Sequence, residues 1–404
     1  MTTRTFISTG HLIDSGIMSE IFNTIMDEGA DYEVTSFDIG KRKSEKSKLE
    51  LVLKCKDPDK LEILASRLTA LGAYEKGAIE SVFKLAEKDS NVPEDFYSTS
   101  NHRTEIFLNG KWVAVGAQRM DAVIILSDSG PKCVKLRDVK KGNSVLCGSE
   151  SVRVFPPVSD VRDSGFGFMS NDVSSERSDN IAVLKIAKEL KSLRQEGKKA
   201  VVVAGPVVIH TGGGSALAGL IRDGWIQGLL GGNAIAVHDI ESCFYGTSLG
   251  VDLETGKQAV GGHFHHMRAI NRINHYGSIK NAVQAGALKC GLMYEVVKAD
   301  IPYSLAGSIR DDGPLPETEM DMIKAQAAYS EIIKDTDIII MLSTMLHSIG
   351  TGNMTPSWVK TVCVDINPSV VTKLSDRGTS QAVGIVSDVG LFLRALATKL
   401  EVKF

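Results

Sequence analysis

KAVVVAGPVVIHTGGGSALAGLIRDGWIQGLLGGNAIAVHDIESCFY, Lys199 to Tyr245, is the stretch on which the reading of the fold turns. Its apolar, β-branched runs Val201–Val203 and Val207–Ile209 read as buried strand. The pattern breaks at Thr211-Gly212-Gly213-Gly214-Ser215 and resumes as a short helix over Ala216–Arg222. A second apolar run, Trp225–Leu230, meets Gly231-Gly232-Asn233, and a second helix is expected from about Ala234. Strand, glycine loop and helix, twice over, predict a parallel sheet with helices on its faces. Ligands bind such sheets outside the carboxyl ends of the strands. Both glycine clusters are expected at that edge.

Glycine reaches positive φ cheaply and lets backbone amides approach a phosphate, and a helix N-terminus adds a favourable dipole. Tight turning alone would also use glycine, so one cluster decides little. Two in one sheet favour an anion or nucleotide site. Neither cluster is the G-x-G-x-x-G fingerprint or a P-loop, so a nucleotide would be held in a non-standard way.

A chain of 404 residues suggests two or three domains. Hydrophobic content of 43%, charged content of 24% and net charge −3 describe an ordinary globular protein and argue against bulk nucleic-acid binding. The amino terminus, MTTRTFISTGHLID, shows no signal peptide or membrane span, so a cytoplasmic location is expected. The six cysteines are scattered without CxxC pairs and read as reduced thiols, Cys243 as a small buried one.

Residues 1–98 read as a ferredoxin-like βαββαβ module: strand Thr5–Thr9, helix Gly16–Asp27, strands Tyr32–Ile39 and Lys48–Lys54, helix Asp59–Leu71, and a last strand from Glu80 onward. Residues 99–160 form a small antiparallel β module, with Asn109-Gly110 as its strongest hairpin signal. The polar stretch after Pro156-Pro157 reads as a linker or functional loop. Residues 161–404 make the α/β domain.

Within that domain, GGHFHHMRAINRINHYGSI (261–279) holds His263, His265 and His266. Their spacing fits no standard ligand pair, so no metal is expected and a polar wall or loop is the plainer reading. SIRDDGPLPET (308–318) is a charged, proline-rich loop whose Arg310, Asp311 and Asp312 are open to a turn-forming or a functional reading. Helix Glu319–Lys334 leads to strand Asp337–Leu342 and then Ser343–His347. Strand Thr361–Val364 ends in Asp365, and Ala382–Val386 is followed by Asp388, which opens helix Leu391–Leu400. An aspartate at a strand's carboxyl end can accept both ribose hydroxyls, and Asp365 sits in that place. Asp388 is equally readable as an N-cap.

The segments VVVAGPVVIHTGGG (201–214), LLGGNAIAVHDIE (229–241), SIRDDGPLP (308–316), IIIMLSTMLHS (338–348), VCVDINPSVVTKL (362–374) and GIVSDVGLFLRAL (384–396) together resemble the archaeal-type ornithine cyclodeaminase family. Members carry a conserved region labelled after lysine-oxoglutarate reductase/saccharopine dehydrogenase. FISTGHLIDSGIM (6–18) extends the likeness over nearly the whole chain. GNAIAVHD also resembles a deoxyhypusine synthase segment, and VDINPSVV a strand-loop of thiamine-enzyme middle domains. The resemblance implies a deoxyhypusine-synthase-like NAD-binding domain and conversion of L-ornithine to L-proline and ammonia. Tightly held NAD would take hydride from Cα, the δ-amine would attack the α-imine, and the cyclic imine would take the hydride back.

Carried onto this chain, the resemblance puts Asn233 and Ala234 at the dinucleotide, lined further by Thr344, Met345, Leu346 and His347. Asp365 would hold the adenosine ribose, Asp388 and Val389 would flank the adenine, and Asp312 would close over the nicotinamide. His238, Asp239 and Asp312 are the acid/base candidates and Arg310 the candidate for the substrate carboxylate. Two other readings compete: a different NAD-dependent amino-acid oxidoreductase or aminoalkyl transferase, and a non-catalytic NAD and amino-acid sensor. A homo-oligomer is expected.

Overall fold

The computed structural model describes residues 2–13, 15–42, 45–77, 79–156, 175–259, 262, 265–311, 313–375 and 382–404. The chain divides into two compact units: residues 1–164 with 353–358 and 378–381, and residues 165–352 with 359–377 and 382–404.

The first unit opens with β1 (Thr2–Gly10), α1 (Ile17–Asp27), β2 (Asp31–Asp38), β3 (Ser47–Cys55), α2 (Pro58–Ala70) and β4 (Ala73–Glu75). They form an antiparallel sheet of order β2-β3-β1-β4. Leu49, Leu51 and Leu53 alternate inward along β3 and pack with Phe6, Ile21, Ile25 and Leu64. The last strand is Ala73–Glu75, paired with β1, not the segment from Glu80. Three residues after a glycine turn are too few for period-2 patterning to register.

The segment from Val82 belongs to the next module: β5 (Val82–Leu85), β6 (Arg103–Leu108), β7 (Lys111–Ala114), β8 (Ala122–Ser127), β9 (Gly130–Lys135), β10 (Ser144–Cys147) and β11 (Val152–Phe155). Two antiparallel sheets, β5-β10-β8-β9 and β11-β6-β7, enclose a core around Tyr97, Ile106, Ile124 and Leu146. Asn109 and Gly110 both take positive φ, 53° and 75°, and turn the β6–β7 hairpin as their dipeptide predicts.

The second unit begins with α3 (Ser175–Gln195), β12 (Ala200–Ala204), α4 (Val207–His210), α5 (Gly214–Arg222), β13 (Leu229–Gly232) and α6 (Asn233–Tyr245). A two-stranded ribbon, β14 (Thr247–Ser248) and β15 (Val251–Asp252), precedes α7 (His265–Tyr276), α8 (Ile279–Gln284) and α9 (Leu292–Lys298). Then come β16 (Tyr303–Ala306), β17 (Thr318–Glu319), α10 (Met322–Ile332), β18 (Ile338–Leu342) and α11 (Met345–Met354). The chain closes with β19 (Lys360–Asp365), α12 (Pro368–Ser375), β20 (Ala382–Val386) and α13 (Val389–Lys399).

Seven strands pair in parallel in the order β17-β16-β13-β12-β18-β19-β20. AVVVA in β12 and IIIML in β18 are wholly buried, as strands covered on both faces must be. Val207–Ile209 is a helical turn and not the strand expected. Pro206 takes helical φ/ψ (−63°, −20°) directly after β12, which overrides the β-branched composition. The helix expected from Glu319 starts at Met322, because Asp321 caps it by accepting the Ile323 and Lys324 amides while Glu319 lies in β17. The 261–279 stretch, read as a wall or loop, is helical from His265. Among the described residues no helix is long and apolar enough to cross a membrane.

Candidate active site at the carboxyl edge of the parallel sheet

β12 is the first strand of the sheet in sequence, and the chain builds outward from it on both sides, through β13 and later through β18. In such sheets ligands bind outside the carboxyl ends where the order reverses. Strand exits meet closely there: a side chain at Gly205 would collide with the Ser343 carbonyl, and a Cβ at Gly232 would lie 2.9 Å from His347 Nε2. Gly231-Gly232 therefore stands at the expected edge. The other cluster, Gly212–Gly214, follows α4. Gly213 and Gly214 serve packing, with the Gly213 Cβ position 3.1 Å from Gly390 Cα in α13, while Gly212 turns the chain at φ 70°.

α6 carries the most heavily bonded side chain of the edge. Glu241 is completely buried. Its Oε1 accepts from Thr247 Oγ1 and the Gly250 amide, both at 2.9 Å. Its Oε2 accepts from His238 Nδ1 at 2.9 Å and the Leu249 amide at 3.2 Å. Burial pushes the Glu241 carboxyl up, but the bonds from His238, Gly250 and Thr247 outweigh it and hold the group below its ordinary value. An ionised carboxylate only accepts, so His238 carries its proton on Nδ1 and presents Nε2 as the basic atom. The same logic reaches His265. Thr247 spends its single proton on Glu241, so His265 Nδ1, 2.8 Å away, donates to the hydroxyl.

Tyr245 stacks on His265 with ring centroids 4.7 Å apart. On the other side, the His210 ring lies 4.9 Å from that of His238 and bonds Ser248 Oγ at 2.6 Å. Burial, and next the proximity of His238, lower the His210 pKa. The result is a cluster in which one carboxylate holds His238 and, through Thr247, His265, while the His210–Ser248 pair lies against His238. This arrangement can take up a proton and stabilise the cation formed.

Asp239 is also buried, but its two oxygens accept the Leu292 and Met293 amides at 2.7 and 2.8 Å. Asp239, an acid/base candidate from the sequence, thus caps α9 in this structure. Next to that cap, Cys243 of α6 and Cys290 form a disulfide, with Cα atoms 5.7 Å apart. The expectation of reduced, unpaired cysteines fails for these two, because the α6–α9 packing brings together residues 47 positions apart.

Asn233 at the start of α6 is buried and braces the 308–318 loop. Its Nδ2 donates to Asp311 Oδ1 at 3.2 Å, and its Oδ1 accepts from the Leu315 amide and Thr318 Oγ1. Asp311 in turn accepts the Ser308 amide, and Arg310 is exposed. Asp312 and His263 lie outside the described residues. Tyr329 donates to the Gly231 carbonyl at 2.7 Å, so His347 Nδ1, 3.0 Å from the same hydroxyl, donates to it and leaves Nε2 basic. Burial lowers the His347 pKa, opposed by Asp311.

The outer rim is emptier. Asp365 uses one oxygen to accept the Asn367 amide at 2.8 Å, and its other oxygen has no hydrogen-bond partner among the described residues. Asp388 caps α13 through the Leu391 amide, the capping alternative left open for it, and Val389 is buried beneath. Met345, Leu346 and Ile366 stand exposed at the ends of β18 and β19, Leu346 to 74%. Thr344 and Ala234 are half-buried.

These residues fit a dinucleotide. The N-terminus of α6 has no side-chain cap and so offers amides to a phosphate, the Asp365 carboxylate is half unclaimed, and apolar side chains lie exposed beside it. Glu241, Thr247, Ser248, His210 and Tyr329 were not singled out from sequence. The His238-x-x-Glu241 spacing, one helical turn, was a usable signal. Among the described residues no group of three His, Cys, Asp or Glu side chains could hold a metal ion.

The parallel sheet and its edge define an enzyme domain of the Rossmann class, and residues 184–396 match the family model "Arginine dihydrolase ArgZ-like, C-terminal, Rossmann fold". Residues 3–102 match the LOR/SDH bifunctional enzyme conserved region, and 103–183 the ArgZ-like C-terminal first region. The chain is 52% identical over 400 residues to the ornithine cyclodeaminase of Methanocaldococcus jannaschii, covering 97% of this chain and 95% of that protein. It also resembles the apo structure of the cyanobacterial arginine dihydrolase ArgZ, with TM-score 0.87, 43% identity, and coverage of 99% of this chain and 58% of that one. The ternary complex of AgrE with ornithine and NAD+ matches with TM-score 0.55 and 45% identity, over 99% of this chain and 57% of that one. The chain belongs to the ornithine cyclodeaminase family, and it is an enzyme.

Proposed function

We propose that the chain converts L-ornithine to L-proline and ammonia at the carboxyl edge of its parallel sheet. Its cofactor is NAD. Bound there, NAD supplies a two-electron acceptor that is restored before product leaves. The observation that carries the reading is the His238–Glu241 pair on α6, the helix that starts at the Gly232 turn. His238 Nε2 takes the amine proton, and the buried Glu241 carboxylate steadies the imidazolium that forms. His265, through Thr247, steadies the same carboxylate, and the His210 ring lies against that of His238. Burial of the network excludes water, which would otherwise hydrolyse an imine to a free oxo acid.

For the cofactor, the amides of Asn233 and Ala234 at the α6 N-terminus face the phosphates, and Asp365 accepts the ribose hydroxyls. Met345 and Leu346 supply apolar contact, with Thr344 and His347 completing that wall, while Asp388 and Val389 shape the adenine side as the capped start of α13. Arg310 and Asp312, from the 308–318 loop, act on the substrate carboxylate and over the nicotinamide. The test is incubation of the pure protein with L-ornithine, following proline, ammonia and NADH absorbance together. Equal proline and ammonia without net NADH is the expected outcome. Absence of proline from protein that retains NAD overturns the reading.

A further inference from the structure

A cavity of about 690 Å³ opens inside the first unit, far in sequence from the network described above. It is bounded by the carboxyl end of β1, the turn into β4, the ends of β6, β7 and β11, and Ser357-Trp358. The walls close firmly beside it: a Cβ at Gly72 would lie 2.7 Å from Pro156 Cδ, so the space is a built gap and not a loose seam. Its volume is in the range of small-ligand and cofactor pockets.

The chemistry of the lining is one-sided. Arg103, Lys46 and His11 line it, and among the described residues no aspartate or glutamate does. Arg103 shares Glu105 with Arg153, so that trio keeps a surplus positive charge. Lys46 has no ion pair among the described residues. Aromatic surfaces share the lining, Tyr74, Phe155 and Trp358, with the Arg103 guanidinium 5.8 Å from the Phe155 ring centroid. Trp358 is 55% exposed, an unusual state for the most costly side chain to leave in water. A concave basic surface without acidic groups concentrates anions, and exposed rings offer planar groups a stacking face.

We propose that this cavity binds an organic anion with a planar body, its phosphate or carboxylate on Arg103 and Lys46 and its ring on Trp358. The site shares no residue with the dinucleotide edge and holds a second ligand in the first unit. Phosphate and carboxylate sources share this chemistry, and two probes separate them.

The NAD-loaded full-length protein is titrated with adenosine 5′-monophosphate and, separately, with 4-hydroxyphenylpyruvate, by calorimetry and tryptophan fluorescence. One saturable site per chain is expected for at least one probe, with uncharged adenosine bound at least ten-fold more weakly. Lys46→Glu and Arg103→Glu, both exposed and so compatible with folding, should each weaken binding by roughly ten-fold. Their melting curves and NAD content should match the parent. Trp358→Phe should keep the calorimetric binding and lose most of the fluorescence change. Saturation by the monophosphate alone assigns a nucleoside phosphate, and by the keto acid alone an aromatic carboxylate. Failure of both probes to saturate at millimolar concentration overturns the proposal. So does binding that the charge reversals leave unchanged, since the probe would then sit elsewhere.

Discussion

The β12–β13 half and the β19–β20 half of one sheet edge are built in opposite ways. In the first, Glu241 is sealed from solvent and all its bonds are made within the protein. In the second, Asp365 is half-satisfied, and Leu346 and Ile366 face outward. A proton-transfer group needs its orientation fixed before substrate arrives. A holding site can leave polar and apolar surface for the ligand to complete.

The sharpest way to break this contrast is to remove the charge from the sealed half. Glu241→Gln keeps the shape but cannot accept all four donors. Turnover of L-ornithine should fall by about 10²–10⁴ while NAD retention stays near that of the parent. Equal loss of turnover and retention would make Glu241 a merely structural group. Next, Asp365→Ala acts on the open half: NAD retention after gel filtration should drop about ten-fold, the range of one charge-assisted ribose contact. Unchanged retention removes Asp365 from the ribose site.

The smallest expected effect concerns Asp239, whose burial pushes its carboxyl from 3.8 up to about 6 against the two helix amides that pull it down. With the folded-state value raised, its contribution to stability is full below pH 4 and is lost as pH rises through about 6. Asp239→Asn should flatten that slope, by on the order of 2 kcal/mol between pH 4 and 7 in denaturant titrations. A slope equal to the parent's would show that the cap titrates normally.

The sheet was legible because Ala200–Ala204 and Ile338–Leu342 are continuous β-branched or apolar runs that only a doubly covered strand tolerates. The places of Asp365 at a strand end and Asp388 at a helix start were legible because each sits where an apolar run stops. Tyr303–Ala306 escaped as a strand since four mixed residues carry no period. The Val207–His210 turn was misread because composition spoke for strand and only Pro206 spoke for helix. The buried network was half legible. His238 and Glu241 are neighbours on one helix, but Thr247, Ser248 and His265 join them only through the β14 turn and the packing of α7 on α6. Long-range pairing of that kind, like Cys243 with Cys290, leaves no mark on local spacing.

Asp239 and Cys243 lie four residues apart on α6, and both fasten it to the same short segment, 290–293. One fastening is electrostatic and reversible with pH; the other is covalent and reversible with redox potential. Each therefore acts as a spare for the other. In an oxidising setting the helix bearing His238 and Glu241 tolerates loss of the carboxylate. In a reducing one Asp239 and the apolar packing of α6 on α9 are left to hold the segment, and the same substitution costs more.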